Sequence, residues 1–458
     1  TLRLQAGIDG TLHAAALADS QGVLFLQRQL GPVPVADATV FADERALLAG
    51  LIQRLVTKDP DLMIGWNLLT EDLSLLREAA RRCRMSLPLA RGPGDLQYQP
   101  SVGRTQLPRA VLAGRVLFDV APLWRHLKGA HGEDTLIATL EGDRGGARAD
   151  GGAHGEAAGE RIRREAGELW RLVHSAGLIE LAMQRSRLTG LPIDRATASV
   201  AAFDYLYLVE LGRRGHVAPT LERASEAGEP VVGGQILPPL PGLHKNVLVF
   251  DFRSLYPSVI RTFQIDPLGL IPSEDDREPD PIVAPSGARF RRQRGILTVI
   301  LDQLLPLRSA AKSQGDEAQS QAIKLLMNSL YGVLGSPSCR FHRPELANAV
   351  TSFGRELLTW TQARLEHCGH RVLYGDTDSL FVLSNLDDHA DHAALTQVGQ
   401  ALLARLNAEL SSYIAATWRV ESRIELALHS VYQKLLLSRQ RGKDKGAAKR
   451  YAGLLWKG

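Results

Sequence analysis

Three aspartates and a set of cationic and aromatic side chains carry the chemistry open to this sequence. Asp251 closes the β-branched and aromatic run Asn246 to Phe250 (NVLVF), which reads as a buried strand, and strand ends are where α/β sheets present ligand-binding groups. Asp376 and Asp378 lie in Gly375-Asp376-Thr377-Asp378, between the strand-like runs Arg371 to Tyr374 (RVLY) and Leu380 to Leu383 (LFVL). That spacing predicts a β-hairpin with two carboxylates at its tip. Alone, such an Asp-x-Asp commonly serves only the turn, because aspartate satisfies its own backbone there. Combined with a second strand-end carboxylate, it could serve two divalent cations roughly 3.5–4 Å apart, whose charge several carboxylate oxygens must offset.

Cations stand where such a site would need them. Leu307 to Ser313 and Ala318 to Leu334 read as helices joined at Gly315-Asp316, with Asp316 and Gln319 forming a capping-box start. On this helical hairpin Lys324, Asn328 and Tyr331 share one face at i, i+4 and i+7, and Arg308 and Lys312 share another at i and i+4. Two cationic faces beside carboxylate-held metals suit a triphosphate. A solvated charged stripe is the alternative, but the apolar context LLMNSLYGVLG argues against simple exposure.

The rest of the chain must position these groups. Its 458 residues fit two or three domains, and 45% hydrophobic with 23% charged residues excludes wholesale disorder and collagen-like structure. No apolar run approaches the roughly 18 residues needed to span a bilayer, so no membrane partner is expected. Cys83, Cys339 and Cys368 are odd in number and lack metal-ligand spacing, which suits a reducing compartment, the cytoplasm. A net charge of +4 permits nucleic-acid binding without proving it, although Arg439 to Arg450 (RQRGKDKGAAKR) holds six basic residues against one acid. From Thr1 to about Arg125, short apolar runs alternate with helical stretches, as in an α/β layer domain. Between Glu141 and Glu160, seven glycines and no Val, Ile, Leu, Met or aromatic residue read as a linker. Helical periodicity returns over Glu165 to Arg187 and Ala196 to Arg213, on either side of Gly190-Leu191-Pro192. Opening on Thr1 and stopping at Gly458 without a closing element, the chain reads as a fragment truncated at both ends.

Asp251 to Ile260 (DFRSLYPSVI), Lys324 to Gly332 (KLLMNSLYG), Tyr374 to Ser379 (YGDTDS) and Lys449 to Gly453 (KRYAG) stand in the order and spacing of family B DNA polymerases, which the chain resembles over nearly its whole length. Ile64 to Asn67 (IGWN), Gly190 to Arg195 (GLPIDR) and Met327 to Gly335 (MNSLYGVLG) resemble the bacterial polymerase II branch of that family. The short interval from Asp251 to Lys324 leaves little room for the insertion of the protein-primed branch, which favours a nucleic-acid primer. The resemblance implies a multidomain α/β and α+β fold. An RNase H-like, exonuclease-type domain would span 1–187, with the Gly-rich linker at 141–160. The first part of the palm would span 188–300, a helical-hairpin fingers insertion 301–336 and the second part of the palm 337–458, with the thumb absent.

The resemblance also implies an activity: template-directed addition of dNTPs to the 3′ end of a primer on primer–template DNA. Asp251 and Asp378 would hold two Mg²⁺ ions, or Mn²⁺ in their place, with Asp376 secondary and the carbonyl of Phe252 completing one sphere. Backbone amides from Ser254, Leu255 and Tyr256, the cations Arg308, Lys312 and Lys324, and Asn328 would hold the β- and γ-phosphates. Tyr256 would stack under the deoxyribose and exclude a 2′-hydroxyl, and Tyr331 with Gly332 would floor the nascent base pair. Lys449, Arg450 and Tyr451 would touch the DNA backbone, with Ala448 where the family commonly has another lysine. Gly233-Gly234 would let the backbone approach the template. A sliding clamp could engage a C-terminal region outside this chain, and a thumbless chain would extend primers distributively. The setting implied is the bacterial nucleoid.

In the first half, the likeness to an exonuclease domain lacks the carboxylates that two metals need. Asp72 matches the second exonuclease motif. The first motif, normally Asp-x-Glu, falls on Arg3 and Gln5, or in a slipped register on Asp9 and Thr11, and the third falls on Arg161 and Glu165. The expectation is therefore a polymerase without proofreading. The alternatives are a catalytically idle DNA-binding scaffold of polymerase descent and a metal-dependent 3′–5′ exonuclease working through Asp72 and Glu165.

Overall fold

In the computed structural model the described residues are 1–7, 9–29, 37–100, 108–128, 153–220, 231–272, 277–387, 389–440 and 445–456. Their packing divides the chain into two units, Thr1–Ala198 with Gln314–Leu325, and Ser199–Ser313 with Leu326–Gly458.

The first unit is built on a four-stranded sheet of β1 (Leu2–Ala6), β2 (Leu12–Asp19), β3 (Gly22–Arg28) and β4 (Thr39–Phe41), in that order, followed by α1 (Glu44–Lys58). Strand β5 (Leu62–Gly65) precedes α2 (Asp72–Cys83); after the hairpin of β6 (Gln97–Gln99) and β7 (Arg109–Val111), β8 (Val116–Asp119) returns parallel to β5 and leads into α3 (Ala121–Lys128). Alanines 14, 16 and 18 alternate along β2 and so share one face. Their small side chains let α4 (Ala153–Ser175) lay Ile162 and Ala166 directly on the sheet, in a buried cluster with Phe25. Residues 153–160, expected within the Gly-rich linker, are thus the first turns of α4: the Ala and Glu among the glycines are strong helix formers. The remainder of 141–160 lies outside the described residues. The stretch expected to run as one helix from Glu165 is two, because Gly177 takes a left-handed conformation between α4 and α5 (Leu178–Thr189).

The second unit opens with α6 (Ser199–Arg213) and is organised by a six-stranded antiparallel sheet. Its strands are β9 (Ile236–Leu237), β10 (Gly242–Phe252), β14 (Arg371–Asp376), β15 (Ser379–Leu383), β16 (Leu426–Arg439) and β17 (Gly446–Leu455), in the order β17-β16-β10-β15-β14-β9. Strand β10, buried from Asn246 to Phe250, is central, as its near-continuous apolar run requires. Helix α7 (Leu255–Phe263) follows it, then the small sheet of β11 (Leu270–Ile271), β12 (Ile282–Val283) and β13 (Arg289–Phe290), then α8 (Ile296–Ser313). Helix α9 (Glu317–Leu334) begins in the first unit and ends in the second. Helices α10 (Pro344–His367) and α11 (His392–Trp418) complete the unit, with Phe263 stacked on Phe353 at 3.6 Å and Trp418 set edge-on to both. The basic stretch at 439–450 is largely the β16–β17 hairpin, with Arg439 opposite Gly446 and residues 441–444 outside the described set.

Candidate active site

Strand register assembles the carboxylates. Ser379 on β15 stands opposite both Asp251 on β10 and Asp376 on β14, so the two aspartates flank one serine across three adjacent strands. The turn between β14 and β15 is Thr377-Asp378, and the Phe252 N–H donates to the Asp378 carbonyl at 2.8 Å, tying the hairpin tip to the end of β10. Thr377 sits at φ 55°, a left-handed conformation that a β-branched residue adopts only under constraint. The constraint is visible: its N–H donates to the Gln235 carbonyl at 2.8 Å.

Burial, followed by the charge of Asp251, pushes the Asp378 carboxyl up to about 6; burial likewise raises Asp251, opposed by His429. Among the described residues neither Asp251 nor Asp378 forms an ion pair, whereas Asp376 has Lys449 Nζ at 3.6 Å and the Tyr374 hydroxyl at 3.2 Å. Two adjacent, mutually repelling carboxylates with no cation in ion-pair contact fit a bound cation. Among the described residues no group of three or more His, Cys, Asp or Glu side chains forms a ready cage, so an ion here would complete its shell from the Phe252 carbonyl, water or a ligand's oxygens.

The neighbouring residues form a cradle. Ser254, at φ 49°, caps α7, which places the N–H groups of Leu255 and Tyr256 in its first turn; Pro257 has none to offer. Arg308 on α8 reaches Ser254 Oγ at 3.5 Å, and its Nε is buried without a partner. Burial alone lowers its pKa, the signature of a guanidinium lacking a counter-ion. Lys312 follows one turn later and is exposed, as is Asn328 on α9. Lys324 falls on the part of α9 that packs with the first unit.

Tyr256 packs against Tyr331 with ring centroids 4.5 Å apart, while Gly332 is exposed. Of the Gly233-Gly234 pair, Gly234 has an internal reason to be glycine, whereas a Cβ on Gly233 would meet open space. A Cβ on Gly234 would lie 2.9 Å from Thr377 Cγ2 and 3.1 Å from the Tyr256 hydroxyl. Lys449, at φ 61°, donates its N–H to the Tyr374 hydroxyl at 3.0 Å. Arg450 is exposed on β17, and the half-exposed Tyr451 ring meets Phe381 edge-on at 5.2 Å. Two contributors carried no sequence signal. Arg355 on α10 donates to the Gly233 carbonyl at 2.9 Å and lends its charge to Tyr256 and Tyr331, and Gln235 holds Thr377.

Within the first unit, the expected exonuclease positions also converge, around a guanidinium. Arg3 bonds Asp72 Oδ2 at 3.2 Å, Glu165 Oε2 at 3.1 Å and the Trp66 carbonyl at 2.9 Å, and all three charged side chains are buried. Arg161 lies 3.7 Å from the other Glu165 oxygen. Asp72 also accepts the Leu4 N–H, yet burial prevails over Arg3 and raises its carboxyl to about 6. The slipped register fails on geometry: Asp9 is largely exposed and accepts from Thr11 in a turn.

Residues 196–458 match the family model described as DNA polymerase family B. The chain belongs to DNA polymerase family B. Within the family it is 34% identical over 439 residues to DNA polymerase II of Escherichia coli (strain K12), covering 91% of this chain and 54% of that protein. It is 29% identical over 401 residues to DNA polymerase 1 of Pyrococcus abyssi, covering 81% and 51% respectively. The fold is similar to that of the family B DNA polymerase from the hyperthermophilic archaeon Pyrobaculum calidifontis, with a TM-score of 0.65 at 23% identity over 99% of this chain and 58% of that one. The chain thus spans about half the length of the curated relatives it matches. Among the described residues, no helix is long and apolar enough to cross a membrane.

Proposed function

We propose that this chain carries the catalytic core of a template-directed DNA polymerase that extends a primer 3′ end with deoxynucleotides and does not proofread. The observation that carries the reading is the register that sets Asp251 and Asp376 on either side of Ser379, with Asp378 fastened to Phe252 at the strand end. Asp251, Asp378 and the Phe252 carbonyl would hold divalent ions, Mg²⁺ or Mn²⁺, with Asp376 oriented by Tyr374 and Lys449. When bound, such ions supply the charge that acidifies a primer hydroxyl and offsets a triphosphate. The unpartnered Nε of Arg308, with Lys312, Asn328 and the first amides of α7, would bind the β- and γ-phosphates. Tyr256, packed on Tyr331 and with its hydroxyl beside Gly234, would lie under the sugar, with Tyr331 and Gly332 flooring the base pair. Gly233, Lys449, Arg450 and Tyr451 would position the DNA strands. Absence of proofreading is supported by Arg3, whose fixed cation stands between Asp72 and Glu165 where two metals would need further carboxylates.

Single-turnover incorporation on a primed template tests the reading. Asp251→Asn or Asp378→Asn should cut the rate by at least about 10³-fold, because a lost ligand charge disables the ions. Primer–template affinity should change little. A near-normal rate in either variant would overturn the assignment. In the same preparation, a mismatched primer incubated with Mg²⁺ or Mn²⁺ and no nucleotide should keep its length; shortening abolished by Asp72→Asn would restore the exonuclease.

A further inference from the structure

The second unit contains a cavity of about 430 Å³ lined by Arg261, Gln264, Arg292, Arg294, Thr298, Asp302 and Arg423. Four guanidinium groups face it and one carboxylate. They come from separate places: Arg261 from the last turn of α7, Arg292 and Arg294 from the segment between β13 and α8, and Arg423 from the approach to β16. Asp302 accepts from Arg261 Nε at 2.7 Å and from Arg294 at 2.5 Å, so one negative charge is divided between two arginines. Arg292 is held by Asp280 and by the carbonyls of Trp418 and Arg419, and Arg423 has Glu421 at 2.9 Å. Arg419 also pairs with Asp280. Counting every acid and base in this network, five arginines face Asp280, Asp302 and Glu421, which leaves the cavity positive.

Its rim is fixed. Gln264, held at φ 52° beyond the end of α7, accepts from the Gly295 N–H and the Thr298 hydroxyl, both at 3.1 Å. The Arg423 N–H donates to Thr262 Oγ1 at 3.0 Å. The cavity is of the size that takes small ligands, and its lining is donors where a drug-like site would be apolar. Planar guanidinium forks match the oxygens of carboxylates and phosphates in pairs, and of the two a polyphosphate carries the denser charge. Because the arginines converge on one concavity instead of following a groove, the charge they fit is dense and local. A nucleic-acid backbone spreads one charge per nucleotide along a path.

We propose that this arginine-lined cavity binds the phosphate groups of a small polyphosphate, either free or as the tail of a nucleotide. Nothing in the mechanism above uses these residues. The cavity nevertheless stands on two helices of the candidate active site, since α7 also carries Tyr256 and α8 also carries Arg308.

Calorimetric titration of the whole chain with tripolyphosphate in EDTA tests this, because chelation removes binding that depends on divalent ions at the aspartates. The Arg294→Ala/Arg423→Ala variant, altered at two well-exposed side chains, should bind at least about tenfold more weakly, because two charge-assisted contacts are lost. Asp302→Asn, which removes the acid facing the cavity, should bind several-fold more tightly, an effect of opposite sign that general destabilisation cannot produce. Arg294→Lys/Arg423→Lys should recover part of the affinity. Adenosine triphosphate identifies the source: affinity equal to that for tripolyphosphate means the phosphates alone are read, and tighter binding means a nucleotide. Unchanged affinity in the double alanine variant, loss confined to Arg308→Ala, or binding only of a single-stranded oligonucleotide would each overturn the proposal. None of those outcomes bears on primer extension, so the two readings fail separately.

Discussion

Tyr256 and Arg3 show how single side chains decide the two candidate sites. The Tyr256 ring packs on Tyr331, and a Cβ added at Gly354 would lie 3.4 Å from the ring and one at Gly234 3.1 Å from its hydroxyl, so there is little space around it for a bulkier sugar. Tyr256→Ala should therefore raise ribonucleotide use by at least about tenfold, an aromatic wall being worth more than about 1.4 kcal/mol of discrimination here. Competing dNTP and rNTP on one template measures this, and an unchanged ratio would reduce Tyr256 to packing. Arg3 is the counter-charge of two buried carboxylates, so Arg3→Met should cost about 3–5 kcal/mol at neutral pH. The sign of its pH dependence follows. Burial raises the Asp72 carboxyl and Arg3 opposes it, so without Arg3 that carboxyl sits higher still, the folded variant holds more protons than its unfolded chain, and its stability rises more steeply than the parent's as pH falls from 7 toward 5. Urea unfolding at both pH values should show the gap to the parent narrowing; a constant gap would place the cost elsewhere. The aspartates were legible because strand-end acids stand out against apolar runs. Arg355 and Gln235 were not, since what they touch depends on which strands and helices meet, and no local spacing encodes that.

Elements were read best where punctuation and packing agree. The Asp316 carboxylate accepts the Gln319 N–H at 2.8 Å, as the capping pattern implied, and α9 starts at Glu317. Asp316→Ala should lower stability by about 1 kcal/mol, measurable as a shift in the urea midpoint at constant m-value. An unaltered midpoint would mean that α9 is fixed by burial alone. Punctuation misled at α8, which starts at Ile296 and runs through Pro306, where the sequence suggested a start at Leu307. The apolar face of Ile296, Leu297, Ile300, Leu301 and Leu304 is buried, and that packing outweighs a missing backbone hydrogen bond. The β14–β15 hairpin was legible from Asp-Thr-Asp, but the left-handed Thr377 was not, because its support comes from Gln235, far away in sequence.

At the scale of the whole molecule, residues 314–325 belong with the first unit although more than a hundred residues separate them from Ala198. No periodicity announces this, because Ala322 and Leu325 are ordinary positions on an amphipathic helix until their partners, Trp66, Phe118 and Leu181, are in place. A polypeptide of residues 1–198 should be at least about 3 kcal/mol less stable than the same polypeptide with 314–325 fused to its end, the cost of leaving a leucine-sized slot empty. Equal unfolding midpoints would show that the strip is dispensable. The same topology imposes an order on synthesis. A ribosome releases residues 1–198 long before residue 325, and at roughly 5–20 residues per second the wait is on the order of ten seconds. For that interval the newborn first half has a gap in its core, so the cell's chaperones meet it unfinished, and it is completed only by a segment that arrives after the strand bearing Asp251 has been made.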